Sequence, residues 1–85
     1  MRFYVYLIIS KKFKKYTSYV GYAKNVKKRL ELHNKSKGAK FTRGQIWTLA
    51  YSKPYKNKSI AMKEEYKLKK NIKLRDKIKR DFIEK

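Results

Sequence analysis

Phe3-Tyr4-Val5-Tyr6-Leu7-Ile8-Ile9 and, after a polar break, Tyr16-Thr17-Ser18-Tyr19-Val20-Gly21-Tyr22 are the stretches whose reading decides the fold. The first is rich in β-branched and aromatic residues and apolar on both parities, as in a central strand covered on two faces. The second is equally β-prone, and Ser10–Lys15 between them reads as a turn, so the two most simply pair as an antiparallel hairpin. Downstream, Asn25 is placed to cap a helix over Val26–His33, with Val26, Arg29, Leu30 and His33 on one face. Asn34–Gly44 reads as a Lys/Gly/Ser loop, Ile46–Ser52 as a third strand, and Lys53-Pro54-Tyr55-Lys56-Asn57 as a turn. Ser59 then caps a second helix to about Asn71. From Lys73, the spacing of Leu74, Ile78 and Phe82 predicts a third amphipathic helix. The expected architecture is α+β: a small three-stranded antiparallel sheet flanked by helices, in the order β-β-α-β-α-α.

At 85 residues the chain is read as one domain over 1–85, with a core of about 3–72 and a basic helix over about 73–85. A domain of this size buries only roughly 60% of its unfolded surface, so its core is thin. Cysteine is absent, which excludes disulfide scaffolds, zinc fingers, iron–sulfur sites and thiol nucleophiles. No apolar run approaches a membrane span, and Phe3–Ile9 is too short for a signal-peptide core. The expected setting is intracellular, neither secreted nor membrane-bound.

Charge points to the partner. The chain carries 26 Lys+Arg against 6 Asp+Glu, a formal net charge of +20, and Glu31 is the one acid before residue 63. Such a surface repels itself, and a polyanion relieves that repulsion; a nucleic acid adds the release of its condensed cations. A hydrophobic content of 41% is too high for a disordered basic tail.

Few residues are available for chemistry. With one histidine and six carboxylates, triads, paired-carboxylate hydrolysis and a multi-carboxylate two-metal site are poorly supplied. No Walker or dinucleotide-binding loop occurs, so no cofactor-binding residues are assigned. On the second helix, Ala61, Glu65, Leu68 and Ile72 fall on one stripe, so Glu65 interrupts an apolar face while Glu64 sits toward its edge. A carboxylate there needs a cation, either a Lys or Arg or a divalent metal. Arg29 and His33 lie one turn apart on the first helix. Taken alone, they read as a snorkelling arginine and a helix C-terminal cation. Tyr4 and Tyr6 share a strand face, with Tyr19 on the partner strand; the eight tyrosines serve equally for core packing or base stacking.

Tyr4-Val5-Tyr6, Tyr19-Val20-Gly21, Asn25-Val26-Lys27-Lys28-Arg29-Leu30, His33-Asn34, Gly38-Ala39-Lys40-Phe41-Thr42-Arg43-Gly44 and Ala61-Met62-Lys63-Glu64-Glu65 resemble, in order and spacing, the GIY-YIG nuclease domains. The likeness spans about residues 3–72. It is greatest to the small single-domain branch and more distant to the UvrC and Slx1-type nuclease domains. The resemblance implies catalytic roles for Tyr6, Tyr19, Arg29, His33 and Glu65. One of the two tyrosines would act in, or assist, the general base, which requires a lowered phenol pKa. Arg29 would bind the scissile phosphate, His33 would orient water or phosphate, and Glu65 would hold Mg²⁺ or Mn²⁺. Lys24, Lys28, Lys37, Lys40 and Arg43 would contact the nucleic-acid backbone. Departures are Tyr4 in place of the first glycine and Tyr22 where the repair branch has lysine; Asn71 lies too near Glu65 to match the family's later asparagine.

The implied function is a divalent-metal-dependent endonuclease acting on DNA, branched or single-stranded, in repair or recombination. A protein partner could supply specificity, since no extra specificity domain is seen. The other reading, from charge, is a non-catalytic, highly basic subunit of a ribonucleoprotein that binds RNA or DNA on the same scaffold.

Overall fold

A computed structural model describes residues 2–12 and 14–84. Phe13, within the expected turn, and Lys85, at the end of the expected basic helix, lie outside the described residues. Strand β1 (Phe3–Lys12) is the middle of a three-stranded sheet, paired antiparallel with β2 (Lys15–Ala23) and with β3 (Trp47–Tyr55) in the order β2-β1-β3. Its central place explains its composition: Val5 to Ser10 are all buried, because helices cover both faces.

On one face Val5, Leu7 and Ile9 of β1 pack with Val20 against Ala61 and Leu68 of helix α2 (Lys58–Lys70). Ile78 and Phe82 of α3 (Ile72–Ile83) close over the same cluster. On the other face Tyr6, Ile8 and Trp47 form a second cluster, covered by Tyr19 and by Val26 and Leu30 of helix α1 (Val26–Asn34). A shift in the β1–β3 register places Trp47 there. Leu7 faces Tyr51 but Ile8 faces Leu49, so Ala50 is an extra residue and Trp47 comes opposite Ser10. An unbroken register would set Trp47 opposite Lys11, on the other side of the sheet; the bulge re-aims the indole.

The β-β-α-β-α-α order is as expected, and Asn25 caps α1 by accepting from the Lys28 amide at 3.0 Å. Several boundaries differ. Residues 53–55 continue β3 rather than forming a turn: β3 is an edge strand, where Pro54 loses no ladder bond on its open side. Asn57, not Ser59, caps α2, accepting from the Ile60 amide at 2.9 Å. Ile72 is 62% exposed and outside the buried stripe of Ala61 and Leu68, because Asn71 ends α2 and caps α3. The 34–44 loop contains a single 3₁₀ turn, Lys40–Thr42. Among the described residues no helix is long and apolar enough to cross a membrane.

Candidate active site

The site begins where β1 and β2 pair. Tyr6 lies opposite Gly21, and the missing side chain there leaves room for the phenol. A Cβ at position 21 would lie 2.5 Å from Tyr6 Oη and 2.6 Å from Cζ. The phenol reaches the last turn of α1, where Tyr6 Oη and His33 Nε2 are 2.9 Å apart. Gly38 gives His33 the same accommodation, since a Cβ there would press into the imidazole, 2.8 Å from its Cε1. His33 Nδ1 is 2.8 Å from Thr42 Oγ1, and that hydroxyl is 2.8 Å from the Ala39 carbonyl.

These contacts set the direction of every proton in the chain. The Ala39 carbonyl can only accept, so the Thr42 hydroxyl donates to it. Thr42 Oγ1 therefore accepts from His33 Nδ1–H, His33 Nε2 is the acceptor, and the Tyr6 O–H donates to it. Tyr6 and His33 are each 2% exposed and Thr42 is fully buried, so the chain lies under cover and meets water only where Tyr6 and His33 border an opening. Trp47 braces it from β3: its Nε1–H donates to the Thr42 carbonyl at 2.8 Å. Asn34 ties the end of α1 to the same residue, accepting from the Trp47 amide and donating to its carbonyl.

Burial holds His33 below the usual imidazole range, and the Arg29 charge lowers it further, so the ring is neutral at neutral pH. The expectation of a cationic histidine at the helix end is thereby corrected: the end of α1 is packed under the 3₁₀ turn. Tyr6 departs from expectation as well. Burial pushes its phenol well above the ordinary range, Tyr19 and Glu65 add to the rise, and Arg29 only partly opposes it. At rest Tyr6 is a protonated donor rather than a phenolate.

Tyr19 meets His33 edge-on, with centroids 5.2 Å apart, and stacks on Phe41 at 6.1 Å. Tyr6, Tyr19, Arg29, His33 and Glu65 line one opening of about 320 Å³, together with Gly21, Tyr22, Gly38 and Ala39. Arg29 is exposed at its rim, as a snorkelling arginine would be. Glu65 comes from α2; its side chain is 17% exposed and is 3.3 Å from the more open Lys69 Nζ. Of the alternatives expected for Glu65, the lysine is present on its own helix, and the carboxylate also borders the opening.

Among the described residues no three His, Cys, Asp or Glu side chains gather as a metal cluster. A single hard carboxylate oxygen beside an open cavity nevertheless suits a hydrated Mg²⁺, which is commonly held by one or two carboxylates with water and phosphate completing its shell. Tyr4 does not join the site. Lys24 and Lys28 line an adjoining groove of about 370 Å³ that shares Tyr22 and Arg29 with the first opening. Lys58, at the start of α2, enters that groove and was not singled out from sequence. Lys37, Lys40 and Arg43 are exposed on the loop and line neither space. Thr42 was also missed as a site residue, its one sequence signal being its place as a small hydroxyl between an aromatic and an arginine in a basic loop.

Residues 2–79 match the family model described as the GIY-YIG catalytic domain. A UPF0213 protein of Oceanobacillus iheyensis is 48% identical over 52 residues, which cover 60% of this chain and 60% of that protein. A UPF0213 protein of Staphylococcus aureus is 46% identical over 52 residues, covering 60% of this chain and 63% of its own length. The matched stretch thus spans less than two thirds of these curated relatives. No solved structure matches the chain. With its β-β-α-β-α-α order and a match over residues 2–79, the chain belongs to the GIY-YIG catalytic domain family.

Proposed function

We propose that this protein is a divalent-metal-dependent endonuclease that hydrolyses phosphodiester bonds in DNA, of the kind used on branched or single-stranded intermediates of repair and recombination. The observation that carries the reading is the convergence of Tyr6, Tyr19, Arg29, His33 and Glu65 on one opening in a domain of net charge +20.

Each side chain has a part suited to its state. Arg29, charged and at the rim, binds a phosphate and offsets the charge that grows on it in the transition state. Glu65 would hold Mg²⁺ or Mn²⁺, and a cation there supplies Lewis-acid polarisation of the phosphodiester and stabilisation of the leaving oxygen. Tyr6 faces the opening with its proton already directed at a neutral His33. A water that gives its proton to Tyr6 Oη as Tyr6 passes its own to His33 Nε2 becomes the nucleophile without Tyr6 ever standing as a phenolate. Thr42 then stabilises the imidazolium by still accepting from Nδ1–H. Tyr19 packs against the imidazole edge and holds its plane. Lys24, Lys28 and Lys58 in the adjoining groove give the strand contacts that carry charge but little sequence information.

The test is cleavage of labelled single-stranded, duplex and branched DNA, and of RNA, with Mg²⁺ or Mn²⁺, beside Glu65→Ala. Cutting abolished by EDTA and by Glu65→Ala is expected. Tight binding of every substrate, with no cutting by the wild type, would sink the enzyme reading and favour a ribonucleoprotein subunit.

A further inference from the structure

Phe41 is 57% exposed, yet its position is tightly determined. It is the middle residue of the 3₁₀ turn Lys40–Thr42, and Thr42 beside it is fully buried and bonded to His33 and Ala39. Its ring stacks on Tyr19 with 23° between planes and leans on Trp47 at 6.4 Å. Tyr19 lines the candidate active opening, so Phe41 extends an aromatic surface outward from that opening. The ring cannot retreat into the core, because Thr42 already fills the inward position of the turn. Single exposed apolar residues are ordinary. This one is backed by a second ring and carried on a turn with the exposed cations Lys40 and Arg43 close by in the chain.

We propose that Phe41 is a stacking platform for an unpaired nucleobase next to the bound phosphate, so that the domain prefers single-stranded or locally unpaired nucleic acid over continuous duplex. The proposal rests on the nucleic-acid reading above and deepens it by assigning the recognition of unpaired bases to Phe41. Bases inside a duplex have both π-faces covered by their neighbours, and only an unstacked base can offer a face to a protein ring. Cations around an aromatic surface match the phosphates on either side of such a base. The charge of +20 favours this polyanion over an apolar protein partner.

The test is equilibrium binding in EDTA of a single-stranded oligonucleotide carrying 2-aminopurine, and of the same sequence as a blunt duplex. The full chain is compared with Phe41→Leu and Phe41→Trp. One stacked base is worth about tenfold or more in affinity. Phe41→Leu is therefore expected to weaken single-strand binding by about tenfold and duplex binding by less than about twofold, and to relieve quenching of the probe. Phe41→Trp keeps a flat ring and is expected to bind as wild type, so the comparison survives if the leucine variant folds poorly by circular dichroism. Equal weakening on both forms, no weakening, or no single-strand preference in the wild type overturns the platform while leaving the nuclease reading intact. Failure of the wild type to bind either form overturns both.

Discussion

Thr42→Val isolates the one hydroxyl on which the proton order of the site depends. Valine has nearly the volume of threonine, so little cavity forms, and what disappears is an acceptor and a donor. His33 Nδ1–H, on a residue 2% exposed, loses its partner at 2.8 Å, while the Ala39 carbonyl is only part-buried and can turn to water. An unsatisfied buried donor costs about 1–3 kcal/mol, which puts the substitution at about 2 kcal/mol. For a domain this small that lowers Tm by roughly 8–16 °C, an amount a protein with typical stability survives. The second consequence is chemical. Without the Thr42 hydroxyl the imidazole is free to carry its proton on Nε2, where it donates to Tyr6 Oη instead of accepting from it. Because the chain has a single histidine, ¹⁵N–¹H correlation of the imidazole nitrogens reports the tautomer without ambiguity. The wild type should show Nδ1–H, Thr42→Val a shift toward Nε2–H with slower cleavage, and Thr42→Ser the wild-type tautomer. An Nε2–H tautomer in the wild type, or a Thr42→Val protein as stable as its parent, would refute the reasoning.

Other expectations follow from the same geometry. Gly21→Ala puts a methyl against the Tyr6 phenol, and the strain should cost about 1–3 kcal/mol with a loss of cutting, measured by thermal melts beside a cleavage assay. Glu65→Gln should abolish metal-supported cleavage yet lower Tm by only about 1–4 °C, because its ion pair with exposed Lys69 is an i, i+4 helix pair worth only about 0.3–0.5 kcal/mol; a larger fall in Tm would mean Glu65 is chiefly structural. Stability should rise with pH across the mildly acidic range. Unfolded His33 titrates near its usual 6.5 and the folded ring lower, so between those values the unfolded chain holds the extra proton. That contribution is complete above about 6.5 and fades as pH falls toward the folded value; chemical melts at stepped pH should show the slope, and His33→Gln should remove it.

Much of the scaffold was legible because its signals are local. The double-sided apolar run of β1, the Asn25 cap and the Leu74-Ile78-Phe82 spacing each report on neighbours within one or two turns. The errors came where tertiary position overrides local chemistry. Pro54 looks like a turn residue until β3 is known to be an edge strand, and Ser59 looks like a cap until Asn57, two residues earlier, is seen to do that work. The five residues around the opening were named from sequence, yet their protonation states were not. Tyr6 and His33 are 27 residues apart and meet under cover, and burial decides which of them can carry charge.

Thr42 and Phe41 show why the remainder was out of reach. Nothing in Lys40-Phe41-Thr42-Arg43 says which of its two uncharged side chains points inward. That choice is made at Trp47, which is bonded to the Thr42 carbonyl and to both ends of the Asn34 amide. Trp47 is available there because one extra residue in β3 turns it onto the Tyr6 side of the sheet. A bulge in an edge strand thus decides that the hydroxyl of Thr42 goes under His33 and the ring of Phe41 stays outside. The proton order of the site and the aromatic surface beside it are two results of one packing event. Deleting Ala50 should therefore disturb both together, moving the His33 tautomer and the single-strand preference in the same protein.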